Sequence, residues 1–87
     1  MKDKDFCGIV FIGAGSSWAY GATPEAAAKA AAKRVKADWG KYYKIAEANV
    51  NVYDTATVDG WEADHRGVVS SETGDPLRLV KKITITL

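Results

Sequence analysis

A histidine beside an aspartate, a lone thiol, a strand that ends in Gly-Ala-Gly and a block of lysines are the features of this 87-residue chain whose types could do chemistry. In ADHR, Asp64 and His65 have the composition of a general base with its orienting carboxylate, or of part of a metal site. Neighbours along a strand point to opposite faces, so Asp64 is badly placed to orient the ring. No second histidine exists to complete a zinc set. His65 therefore reads as a surface strand residue sharing a face with Trp61 and Ala63.

Cys7 would need a basic neighbour or a helix N-terminus to become a nucleophile, and it lies instead in the apolar run FCGIVFI. It reads as a buried structural cysteine. In FIGAGSSW, Gly13-Ala14-Gly15 follows a strand as a dinucleotide-binding turn would. The third glycine of that fingerprint falls on Trp18, however, and the helix begins only near Pro24. A plain hairpin turn fits better. The carboxylates Asp54, Asp59, Glu62, Asp64, Glu72 and Asp75 do not follow the spacing of a calcium-binding loop, and loop and hairpin solvation accounts for them. No catalytic residue, cofactor site or metal site is expected.

Lys29, Lys33, Arg34 and Lys36 form the one basic block that suits phosphate, and they make nucleic-acid binding the alternative function. Against it, helix surfaces are routinely rich in lysine, and no aromatic is interleaved within the block to stack a base. The formal net charge is +1, from 12 Lys and Arg against 11 Asp and Glu, so no overall field draws polyanions. The distribution is uneven: between Glu47 and Asp75, seven acids face Arg66 alone, whereas basic residues crowd Lys29–Lys41. A basic end and an acidic end are expected.

The elements that must position these groups belong to one domain, 1–87, with Met1–Asp5 expected to be frayed. Hydrophobic residues at 47% and charged residues at 26% are ordinary globular usage. Phe6–Ile12 reads as a central strand, and Trp18-Ala19-Tyr20 as a short strand returning along it. Thr23-Pro24-Glu25 is a helix start, with Thr23 as N-cap and Pro24 at the first helical position. The alanine-rich run predicts a helix over Pro24–Trp39, closed by Gly40 in the left-handed C′ conformation. Its apolar stripe is Ala27 or Ala28, Ala31, Ala32, Val35 and Trp39.

Alternation over Ile45–Val52 and over Lys82–Leu87 predicts two more strands. Asp59-Gly60 predicts a tight hairpin between Ala56-Thr57-Val58 and Trp61–His65, with Gly67 placed to bend the second arm. The fold class is thus α+β, β-β-α-β-β-β, one helix on one face of a mainly antiparallel sheet of 4–5 strands. One helix leaves the other face bare, with Tyr20, Tyr42, Tyr43, Tyr53 and Trp61 as candidates to lie on it or at its rim. Trp18 and Trp61 stand next to turns, where core edge and partner anchor are equally open readings.

The function expected from this surface is a non-enzymatic protein-interaction module, an adaptor or inhibitor acting on another macromolecule. Tyr53, Asp54, Asp59, Trp61, Glu62 and Asp64 form its acid-rimmed contact surface. A phage or mobile-element inhibitor of a nucleic-acid-handling defence complex is one setting for such a chain. A self-associating subunit, a homodimer through the bare sheet, is a further reading. A cytoplasmic location and no membrane partner are expected, because one cysteine forms no internal disulfide and Cys7–Ala14 is too short to span a bilayer.

Overall fold

The computed structural model describes residues 5–13, 15–56, 58, 60–64 and 67–87, with Asp64 described by its backbone alone. The elements are β1 (Phe6–Ile12), β2 (Gly15–Gly21), α1 (Pro24–Trp39), β3 (Glu47–Asp54), β4 (Trp61–Asp64), β5 (Gly67–Ser70) and β6 (Leu79–Thr86). Four strands form an antiparallel sheet in the order β2-β1-β3-β6, and β4 and β5 form a separate two-stranded sheet. The architecture is the α+β arrangement of one helix against a mainly antiparallel sheet.

Helix α1 starts and stops where its sequence says. The Ala26 N–H donates to Thr23 Oγ1 at 3.1 Å, Pro24 follows the cap, and the Gly40 N–H closes the last turn on the Lys36 carbonyl at 2.9 Å. Gly40 itself has φ −60°, so the left-handed stop expected of it is not used. The chain instead makes a further tight turn, in which the amides of Tyr42 and Tyr43 both donate to the Trp39 carbonyl.

The helix buries Ala27, Ala28, Ala31, Ala32 and Val35 against Val10 of β1 and Ala48, Val50 and Val52 of β3. Phe6, Ile12, Ala19, Trp39, Ile83 and Ile85 fill the margins. Small residues set the spacing: a Cβ on Gly8 would lie 2.7 Å from the Ala27 carbonyl oxygen and 2.9 Å from Val50 Cγ1. Glycine is the residue that lets the helix backbone approach β1 so closely. At the sheet edge, Lys81 Nζ reaches Glu25 at 3.0 Å and holds its carboxyl below the usual carboxylate range. That tie is present above the ordinary carboxylate pKa and is lost as pH falls through the lowered one.

The second face of the sheet is not bare. The hairpin β4-β5 and the segment after it fold over one half of that face, burying Cys7, Ile9 and Val68 together with Tyr20, Tyr53, Trp61 and Leu77. The hairpin that does this is not the one expected at Asp59-Gly60. Trp61 pairs with Ser70 and Asp64 with Gly67, while Ala56, Val58 and Gly60 lie outside strands. Gly67 pairs in register and makes no bulge. The physical reason is burial, because this register places Val68 over Cys7 and Ile9, a cover that the shorter arm ending at Val58 does not supply. Asp5 is also held, since its carbonyl accepts the Thr55 amide; Met1–Lys4 lie outside the described residues.

Candidate partner-binding surface

Strand register gives the molecule two ends. Phe6 opposite Asp54 and Tyr53 opposite Leu79 lie at one, and Ile12 opposite Gly15 and Glu47 opposite Thr86 at the other. Asp54, Glu72 and Asp75 gather at the first end. There Asp54, closing β3, meets the loop 70–78 across a cleft of about 410 Å³, whose walls include Glu72, Asp75, Arg78, Val58, Pro76 and Leu77.

The cleft is built by local turn chemistry. Asp54 Oδ1 accepts from the Ala56 amide at 3.0 Å, and the Asp54 amide donates to the Arg78 carbonyl, fixing the end of β3 to the start of β6. Ser70 Oγ accepts from the Glu72 amide at 3.3 Å and Thr73 Oγ1 from the Asp75 amide at 3.2 Å. The Gly74 amide, on a left-handed glycine with φ 75°, donates to the Ser70 carbonyl. The polar run SSETGDP is thus a folded loop that holds two carboxylates beside a third contributed from 18 residues or more upstream, Asp54. Leu77 and Pro76 give the cleft an apolar side, where the aliphatic stem of a long cationic side chain can lie.

The residues expected to form the contact surface divide into two groups. Asp54 is half-buried on the cleft and Glu62 is exposed on β4. Tyr53 and Trp61 are instead half-buried in the second core cluster, and the Trp61 Nε1–H donates to Tyr20 Oη at 2.9 Å. Trp18 packs edge-on against both Tyr20 and Trp61, with centroids 5.4 Å apart in each pair. Of the two readings open for Trp61, structure favours the core edge. Replacing Trp61 by alanine is expected to remove about 2 kcal/mol of stability, through lost packing and a lost hydrogen bond. Thermal denaturation checks this, and an unchanged melting temperature would return Trp61 to the surface. Asp59 and His65 lie outside the described residues, as does the side chain of Asp64.

The basic block is partly spent on the fold. Arg34 Nη1 donates to the Trp18 carbonyl at 3.3 Å, Arg34 Nε lies 3.5 Å from Asp38 Oδ2, and the guanidinium sits 5.2 Å from the Trp18 ring centroid. Asp38 also accepts from the buried Ser17 hydroxyl at 2.9 Å. Lys29, Lys33 and Lys36 are exposed. The separation of sixteen residues between Trp18 and Arg34 hid this pairing from any reading of spacing along the helix.

Cys7 is 1% exposed, and burial pushes its thiol up to about 12. At pH 8 roughly one molecule in ten thousand then carries the thiolate, so native protein is expected to resist iodoacetamide and to react only after denaturation. Rapid alkylation of native protein, followed by intact mass, would contradict this. After Gly13, with φ 53°, the described chain enters β2 at Gly15 and not a helix, so the Gly-rich turn has no helix N-terminus to offer a phosphate. No group of three or more His, Cys, Asp or Glu able to hold a metal ion forms among the described residues, and no described helix is long and apolar enough to cross a membrane.

Comparisons with protein families, curated proteins and solved structures return no match.

Proposed function

We propose that this chain is a non-enzymatic interaction module, an adaptor or inhibitor that engages a basic surface on a protein partner through its acidic end. The observation that carries the reading is the cleft in which Asp54, Glu72 and Asp75 stand beside Leu77 and Pro76. An arginine or lysine of the partner would lay its methylene stem on the apolar wall and its charge among the carboxylates. Arg78 on the same cleft offsets one of the three acids, and the remaining excess steers encounter with a cationic surface.

Contact here differs from the surface expected from sequence in what supplies the buried area. Tyr53 and Trp61 pack in the same cluster as Leu77 of the cleft wall. The inert environment of Cys7 supports a role in binding over one in covalent catalysis.

The test is affinity capture from lysate with the tagged protein and with an Asp54→Asn/Glu72→Lys/Asp75→Lys variant, each with and without nuclease. A nuclease-resistant basic protein that the variant no longer retains supports the proposal. A nuclease-resistant set that the variant retains unchanged, or the absence of any nuclease-resistant protein partner, contradicts it.

A further inference from the structure

The opposite end of the sheet carries the reverse chemistry. The loop Lys41-Tyr42-Tyr43-Lys44 follows α1, and Tyr42 and Tyr43 are 70% and 41% exposed. Their rings are nevertheless held in place. Both amides donate to the Trp39 carbonyl at 3.0 Å, and ring centroids lie 6.2 and 6.1 Å from that of Trp39. Trp39 is anchored in turn by its Nε1–H to the Ser16 carbonyl, and Tyr43 lies against Gly13 of the β1–β2 turn. On the same end of the sheet Phe11 of β1 is 55% exposed.

Lys41 and Lys44 flank these tyrosines in sequence and Lys36 lies in the last turn of α1; all three are exposed, and none is paired with a carboxylate among the described residues. Two of the four carbonyls at the helix C-terminus are occupied: Lys36 O accepts from Gly40, and Trp39 O from both tyrosines. Of the nearby acids, Asp38 is engaged by Arg34 and Ser17, and Glu47 begins β3.

We infer that this end binds single-stranded nucleic acid, with unpaired bases stacked on Tyr42 and Tyr43 and phosphates neutralised by Lys36, Lys41 and Lys44. The complementarity is twofold. Lysines alone would accept any polyanion, whereas exposed aromatic faces between lysines match a polymer that alternates charged phosphates with flat bases. Rings fixed in advance lose little freedom on stacking. The site lies across the sheet from the acidic cleft and does not depend on it.

Anisotropy of a fluorescein-labelled oligothymidylate, against a duplex of equal length and against polyglutamate as competitor, tests the inference at about 50 and about 200 mM salt. The single strand is expected to bind more tightly than the duplex and to weaken as salt rises. Tyr42→Ala should lower affinity roughly tenfold or more, and Tyr42→Phe should restore it, because stacking needs the ring and not the hydroxyl. Lys41→Ala/Lys44→Ala should flatten the salt dependence. Tyr42 is exposed enough that its alanine variant should keep the wild-type melting temperature. The inference is overturned by absence of binding at the lower salt, by equal affinity for duplex, by competition from polyglutamate as effective as from oligothymidylate, or by a folded Tyr42→Ala variant that binds as wild type.

Discussion

Replacing Gly8 by valine is expected to remove roughly 3 kcal/mol or more of stability, a large share of what a domain of this size possesses. The argument is geometric. Even the first carbon of a side chain at this position would come within 2.7 Å of the Ala27 carbonyl oxygen and 3.0 Å of the Ala27 carbonyl carbon. Backbone of a packed helix cannot swing aside as a flexible side chain does, so α1 must lift from the sheet and open the contacts of Ala27, Ala28, Ala31 and Val35. The melting temperature should fall by roughly 12 °C or more. Ala37→Leu, on the exposed side of the same helix, serves as the control and should change stability by about 0.5 kcal/mol or less. Equal melting of the Gly8 variant and wild type would show that helix and sheet do not meet as closely as described.

The second large effect concerns binding. Reversing the cleft with Asp54→Asn/Glu72→Lys/Asp75→Lys should weaken attachment to a basic partner by roughly a hundredfold. Asparagine is chosen at position 54 because its amide oxygen still accepts the Ala56 N–H that Asp54 Oδ1 now accepts. Glu72 and Asp75 have exposed side chains whose replacement should not disturb the loop, which is held by backbone bonds and by the hydroxyls of Ser70 and Thr73. Loss of affinity should be greatest at low salt, because exposed charges are screened within roughly 10 Å at 0.1 M. A partner bound equally by variant and wild type, both with native melting, would remove the cleft from the contact surface.

What could be read from sequence was whatever local chemistry decides. The cap at Thr23, proline behind it and sixteen residues of helix former fix α1 at Pro24–Trp39 without help from the rest of the chain. The alternation Ala48, Val50, Val52 likewise shows which side of β3 meets the helix. Elements settled by distant contacts were misread. Asp59-Gly60 is a strong turn pair, yet β4 pairs forward with Gly67–Ser70, because Val68 has apolar Cys7 and Ile9 to cover. For the same reason the aromatic face expected to be bare is half covered, and Trp61 reaches across 41 residues to Tyr20.

The candidate site was legible in its charge and not in its shape. The excess of acids after Glu47 pointed to an acidic end, and Asp54, expected on the rim of a hairpin surface, lines a cleft that the sequence did not announce. The other wall, Glu72 to Arg78, came from a segment that reads only as polar turn residues, since nothing in SSETGDP tells that its carboxylates return to the end of β3. The aromatic-basic end was hidden in the same way. Lys41 and Tyr42 follow the helix in sequence, but only the packed Trp39 turns the two tyrosines into fixed, exposed rings.

The acidic end as a docking surface for cationic side chains is tested most directly by amide chemical-shift mapping. Uniformly ¹⁵N-labelled protein would be titrated with a blocked Arg-Lys peptide and, separately, with a blocked acidic peptide of the same length. The account predicts saturable shifts at Asp54, Ser70, Glu72, Asp75, Leu77 and Arg78 with the basic peptide, little change at Lys36–Lys44, and no response there to the acidic one. Absence of shifts around the cleft, or shifts that centre on another surface, would contradict it.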